Sequence, residues 1–218
     1  KMICPFILRR LKKEVLKDQP DKIEKNMAAC MEQKQKELYH AHAQRLALML
    51  QNQTEEEFAD SRFQVLSELT RLRQLCCDPA LVYENYEGGS AKLDLCIELI
   101  QSAVESGHKI LLFSQFTSMI EILTARLQEE SISCFVLQGS TKKEQRAQMV
   151  EQFNRDDTSV FCISLKAGGT GLNLTGADIV IHYDPWWNVA VENQATDRAH
   201  RIGQKNVVTV YKLIAKGT

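Results

Sequence analysis

No apolar run in this sequence approaches the roughly 20 residues needed to cross a bilayer, and no signal peptide is visible. A membrane partner is therefore not expected, and the chain reads as intracellular. Neither sign of charge is in excess: 27 Lys plus Arg stand against 28 Asp plus Glu, so any basic surface must be local. The seven cysteines form no C-x-x-C pair and several sit in apolar runs, which suits reduced core thiols better than disulfides or zinc. No metal site is expected. His40 and His42 come nearest to a ligand pair, but two apart on a helix they do not share a face, and they read as a solvated stretch of helix.

Also missing are the parts that grip a nucleotide. There is no G-x-x-x-x-G-K-[ST] loop, the glycines do not complete G-x-G-x-x-G, and no Asp-Glu dipeptide is available to hold Mg²⁺ and orient water. The missing dinucleotide fingerprint disfavours a free-standing Rossmann-type metabolic enzyme. Asp184 closes an apolar run, but Pro185 follows it, and its role reads as structural.

What is present divides into two textures. The opening "KMICPFILRRLKKEVLK" suggests a basic helix, punctuated by Pro20. From Gln33 to Cys77 the periodicity is helical throughout, with a capping-box signal at Thr54 and Glu57, and Asp78-Pro79 ends it. "YENYEGGSAK" (83 to 92) is a loop. The expected division is a basic N-terminal segment (1–32), a helical hairpin (33–82) and a lobe (83–218).

Beyond residue 92, short apolar runs at 109–113, 134–137, 159–164, 179–184 and 207–214 alternate with amphipathic stretches near 92–106, 117–129, 142–154 and 189–201. Strands apolar on both faces, alternating with helices, predict an α/β fold: a mainly parallel sheet with helices on both faces. In such sheets ligands gather at the carboxyl ends of the strands. Those ends carry "SQFT", "QGST", "LKAGGTGLN" and "PWWN".

In "QATDRAHRIGQK", Gln194, Arg198 and Arg201 stand at i, i+4 and i+7, so on a helix they form one polar stripe with two permanent charges. The plainer reading is a solvated helix end, with arginines favouring the negative end of the dipole and Gly203 as the cap. Gly168, Gly169 and Gly171 follow a predicted strand, where glycine lets backbone N–H groups approach phosphate closely. The chain thus offers donors for an anion but no grip on a triphosphate. A nucleotide in a cleft between two lobes explains both facts, with one lobe supplying the P-loop and metal ligands and the other supplying arginine fingers.

From about residue 88 onward the sequence resembles the second RecA-like lobe of Swi/Snf-type ATPases, double-stranded-DNA translocases of helicase superfamily two. "LLFSQFT", "LQGSTKKEQR", "SLKAGGTGLNLTGADIVIHYDPWWN" and "QATDRAHRIGQ" occur in the family's order and spacing. "PFILRRLKKEV", the helical hairpin and "LRQLCCDP" are similar to the segment leading into that lobe, the family's helical protrusion and the return from it.

The resemblance implies that Arg198 and Arg201 reach the γ-phosphate of ATP, with Gln194 facing the same cleft. ATP and Mg²⁺ are then held mainly by an N-terminal RecA-like lobe, and Gly169 and Gly171 lie on the nucleotide side of this one. Gln115, Ser140, Thr141, Lys142 and Lys166 match loops that track a DNA strand, and Trp187 matches the tryptophan facing the minor groove; Trp186 reads as core. The implied partners are duplex DNA, the N-terminal lobe and a DNA-bound protein that is displaced. The implied activity is ATP hydrolysis by the two-lobe protein, with this chain inactive alone.

The alternative is a non-catalytic DNA- or protein-binding module, for which two intact arginines aimed at a cleft have no use. The expected setting is bacterial cytoplasm, at the nucleoid, or the nucleus in a eukaryote. Val189 stands where the family commonly has proline, and Gln19 where leucine usually precedes Pro20. "KLIAKGT" stops where the family continues into a bracing helix, so both ends read as those of a piece of a longer protein.

Overall fold

A computed structural model describes residues 20–51, 55–167 and 171–218, with residues 55–60 as backbone only. The expected basic helix at 1–17, the Thr54 capping box, Gly168 and Gly169 lie outside the described residues.

Six strands form one sheet in the order β1-β6-β5-β2-β4-β3, every neighbouring pair parallel. They are β1 (Lys22–Cys30), β2 (Ile110–Ser114), β3 (Cys134–Leu137), β4 (Val160–Ser164), β5 (Ile179–His182) and β6 (Val208–Lys216). The helices are α1 (Gln33–Gln51), α2 (Glu55–Cys77), α3 (Ala91–Glu105), α4 (Thr117–Glu129), α5 (Lys143–Arg155) and α6 (Val189–Thr196).

Of the four inner strands, β2, β4 and β5 are buried at every residue, as their unbroken apolar runs require. Because side chains alternate along a strand, Ile110, Leu112, Cys162 and Ile181 enter one core with Ile97 and Ile100 of α3 and Leu123 of α4. Leu111, Phe113, Phe161, Ile163 and Val180 enter a second core with Phe153 of α5 and Ala195 of α6. The sheet is therefore covered on both faces, and its two cores fix where each strand end emerges.

Strand β1 was not foreseen. "KIEKNMAAC" mixes charges with apolar residues because, among the described residues, it pairs only with β6 at the sheet edge and is exposed along most of its length. Charged residues on an edge strand discourage pairing with other chains.

In the hairpin, Leu46 of α1 meets Val65 and Leu72 of α2, with Tyr39 and Ala43 packed against them. Helix α2 stops at Cys77 as expected, and Asp78 accepts the Ala80 N–H at 2.8 Å to start the short turn Pro79–Leu81. The Cys77 carbonyl then accepts from Ser90 Oγ (2.8 Å) and Tyr183 OH (3.0 Å), which fastens the hairpin to the lobe. His42 corrects the expectation of a solvated pair. Its Nδ1 lies 3.3 Å from Glu68 Oε2 and its Nε2 2.8 Å from Tyr83 OH, so it ties α1 to α2 and to the loop beyond.

The second correction concerns α6, which ends at Thr196 and not near 201. Asn188 caps its start by accepting from Ala190 N. Beyond Thr196 the chain tightens into i→i−3 turns, Arg198 N to the Ala195 carbonyl and Ala199 N to that of Thr196. The Arg198 carbonyl accepts from Leu174 N, a partner outside the helix. Gln194, Arg198 and Arg201 consequently do not share a helical stripe. Among the described residues no helix is long and apolar enough to cross a membrane.

Candidate functional site

The turn after α6 and the return of the glycine-rich loop are bonded to one another at three points. Leu174 N donates to the Arg198 carbonyl at 3.0 Å, and Arg201 Nη1 donates to the Leu172 carbonyl at 3.3 Å. Gln204 Nε2 reaches the carbonyls of Ala177 (2.7 Å), Thr175 (3.2 Å) and Ala199 (3.2 Å), while its Oε1 accepts from Lys205 N and Asn206 N. Gln204 closes the motif, yet no spacing or periodicity marks it as the clamp. Gly171 has φ +96°, a left-handed conformation that favours glycine, so this loop shape depends on it.

The two arginines differ in environment. Arg198 is only 6% exposed, and its Nε and Nη1 are buried with no hydrogen-bond partner among the described residues. Burial, together with the like charge of Arg201, pulls its pKa down to about 10, still far above neutrality. A buried, charged guanidinium with orphaned donors is unfavourable unless an anion meets it. Arg201 is exposed beside the glycine loop, and Gln194 is exposed on α6.

His182 supports this turn from beneath. It stacks on Phe113 (centroids 5.6 Å apart, 21° between planes) and its Nε2 lies 3.0 Å from Thr196 Oγ1. Burial holds its pKa down to about 4, so the ring is neutral and the last residue of α6 has a fixed polar partner.

The residues expected on the DNA side lie at the same carboxyl edge of the sheet. Thr141 Oγ1 accepts from Gln138 N, and Thr141 N donates to the Gln138 carbonyl, which closes the loop that presents exposed Ser140 and Lys142. Arg146 on α5 braces that loop: its guanidinium donates to the carbonyls of Thr141 (2.9 Å), Gln138 and Gly139, and reaches Ala167 in the neighbouring loop (3.3 Å). Arg146 thereby joins the loop that carries exposed Lys166 to the one that carries Ser140–Lys142. Arg146 escaped the sequence reading because it stands inside a helix that looks merely amphipathic.

Gln115, half-buried, donates its backbone N–H to both oxygens of Asp184 at 3.1 and 3.2 Å. Burial pushes the Asp184 pKa up to about 6, although Ser114, Gln115 and the charges of Lys92 and Arg73 all act to lower it. Trp187 is 66% exposed and lies against half-buried Trp186, with centroids 4.5 Å apart. The Trp186 backbone N–H donates to Glu192 Oε1 at 2.6 Å, and Glu192 pairs with Lys212 at 2.9 Å, so the tryptophan loop is anchored to α6 and to β6.

Residues 91–203 match the helicase conserved C-terminal domain, and residues 1–81 the SNF2-related domain. With its six parallel strands and their helices, the chain is thus a RecA-like helicase lobe. The solved C-terminal domain of the Sulfolobus solfataricus SWI2/SNF2 ATPase is 32% identical, with a TM-score of 0.75, and the match covers 91% of this chain and 81% of that one. The same organism's ATPase core, solved in complex with double-stranded DNA, is 35% identical, with a TM-score of 0.78 over 100% of this chain and 46% of that one.

The chain belongs to the SWI2/SNF2 family of ATPases. Curated relatives include an uncharacterized ATP-dependent helicase of Mycoplasma pneumoniae, 42% identical over 98% of this chain and 20% of that protein. The nuclear protein STH1/NPS1 of Saccharomyces cerevisiae is 37% identical over 98% of this chain and 17% of its own length. The chain spans about a fifth of the length of these relatives.

Proposed function

We propose that this chain is the C-terminal motor lobe of an ATP-driven translocase on double-stranded DNA. Arg198 and Arg201 supply positive charge to the γ-phosphate of ATP bound by an N-terminal RecA-like lobe, and Gln194 faces the same cleft. The observation that carries this reading is the Arg198 guanidinium: desolvated, charged, and with two donors lacking partners among the described residues, it suits an anion brought by another lobe.

Bound ATP supplies the phosphoryl group to be transferred, and Mg²⁺ belongs with it on the lobe that holds the P-loop and acidic strand absent from this sequence. This chain's part is to place charge. A preplaced arginine acts mainly on charge that develops in the transition state, an effect worth on the order of 10³ to 10⁵ in turnover. Gly169 and Gly171 belong to the nucleotide cleft in this reading.

On the other side, Gln115, Ser140, Thr141, Lys142 and Lys166 follow one strand of the duplex through phosphates, which position a protein without reading sequence. Trp187, the exposed indole, faces the minor groove. Motion along DNA then displaces bound protein. The partner sets the compartment: the bacterial nucleoid, or the nucleus in a eukaryote.

The test is DNA-stimulated phosphate release and triplex-strand displacement by the two-lobe protein. Both activities are expected. Duplex binding without hydrolysis would favour the binding-module alternative.

A further inference from the structure

Helix α2 ends against the lobe through one long side chain whose contacts the proposed function does not use. The Arg73 guanidinium carbon lies 4.4 Å from the Trp186 ring centroid, 4.9 Å from that of Trp187 and 5.7 Å from that of Phe116. Its Nη2 is 4.0 Å from Asp184 Oδ2 and is itself buried with no hydrogen-bond partner among the described residues. The side chain is 20% exposed. Ring faces and one carboxylate hold this guanidinium, with no hydrogen bond at Nη2 among the described residues.

We infer that Arg73 is a positioning residue that couples the helical hairpin to the DNA-facing edge, by setting the Trp186–Trp187 pair and the Gln115 loop together. An indole as exposed as Trp187 is not fixed by burial. A planar cation spanning both indoles restricts their tilt, because each ring face attracts it and the delocalised guanidinium lies flat where an ammonium cannot. The same cation faces Asp184, whose two oxygens receive the Gln115 N–H. A displacement of α2 therefore acts on the tryptophan pair and, through Asp184, on the loop after β2. Hydrogen bonds from Ser90 and Tyr183 to the Cys77 carbonyl, four residues further along, keep this end of α2 at a fixed height against the lobe.

The inference rests on the proposed DNA reading for its consequence, but its geometry can be tested separately. Trp186 and Trp187 are the chain's two tryptophans, so fluorescence reports on this stack alone. In a Trp186→Phe background, Arg73→Ala is expected to shift Trp187 emission to the red and lower its steady-state anisotropy, with far-UV circular dichroism unchanged. Duplex affinity at low salt should fall about tenfold, on the scale of the cation–ring contact that no longer holds the indole in place.

Arg73→Lys keeps the charge but not the plane, and should recover the affinity only in part. It also serves as the reporter variant if Arg73→Ala does not fold. Unchanged Trp187 emission and anisotropy in these variants would overturn the inference, as would duplex affinity within twofold of the parent. If duplex DNA leaves Trp187 emission unaltered in the parent itself, the DNA-side reading fails instead.

Discussion

The side-chain nitrogen of Gln204 lies 2.7 Å from the carbonyl oxygen of Ala177, and that contact joins the turn after α6 to the chain entering β5. Two more carbonyls share the nitrogen, and two backbone N–H groups share the oxygen, so one amide closes the loop system in which Arg198 and Arg201 sit.

Gln204→Ala should therefore be costly out of proportion to its size. Losing a buried amide that satisfies five backbone groups is expected to destabilise the chain by about 2 to 4 kcal/mol. Gln204→Glu keeps the acceptor but turns a carboxylate oxygen toward three carbonyls, and at neutral pH should cost at least as much as alanine. Urea denaturation measures both, and a loss below about 0.5 kcal/mol for the alanine variant would show that the clamp is dispensable.

Two buried groups make opposite pH dependences. His182 is held down to about 4 from 6.5, so its contribution to stability is full above pH 6.5 and is lost as pH falls toward 4. Asp184 is raised to about 6 from 3.8, so its contribution is full below pH 3.8 and is lost as pH rises through 6. Each is worth about 3 kcal/mol at most, and over pH 4 to 6 they oppose one another. Relative to the parent, Asp184→Asn should lose stability more steeply on acidification, and His182→Asn less steeply. Denaturation midpoints at pH 4.5, 5.5 and 7 decide; parallel curves for parent and variants would contradict both assignments.

Binding of duplex DNA should ignore sequence and weaken steeply with salt, with a slope near −0.9 per phosphate contact in log K against log salt. Lys142→Ala and Lys166→Ala should each reduce that slope by about 0.9. Affinity constant from low to physiological salt would mean that these loops do not meet phosphates.

By itself the chain should release no phosphate from ATP, with or without DNA, because its sequence carries no P-loop. Adding the N-terminal lobe should restore release. Turnover by the purified chain alone, unchanged by further purification, would contradict the two-lobe cleft.

The inner strands and most helices were legible in the sequence because unbroken apolar runs between amphipathic stretches leave few alternatives to a covered parallel sheet. Strand β1 was not, since an edge strand facing solvent carries no apolar signature. The geometry of the arginine motif was not legible. Periodicity extends a helix through Arg201, whereas bonds to Leu172 and Leu174, more than twenty residues upstream, take over beyond Thr196. Arg73, Arg146 and Gln204 went unmarked because each acts through carbonyls, ring faces or a carboxylate that only the fold brings near.

The decisive measurement compares ATP affinity with turnover for Arg198→Ala and Arg201→Ala in the two-lobe protein. The P-loop lobe makes most ground-state contacts, so ATP dissociation constants should stay within a few-fold, while DNA-stimulated kcat falls by about 10³ or more. Turnover within tenfold of the parent in both variants, or a matched loss of binding and turnover, would contradict the role given to the two arginines.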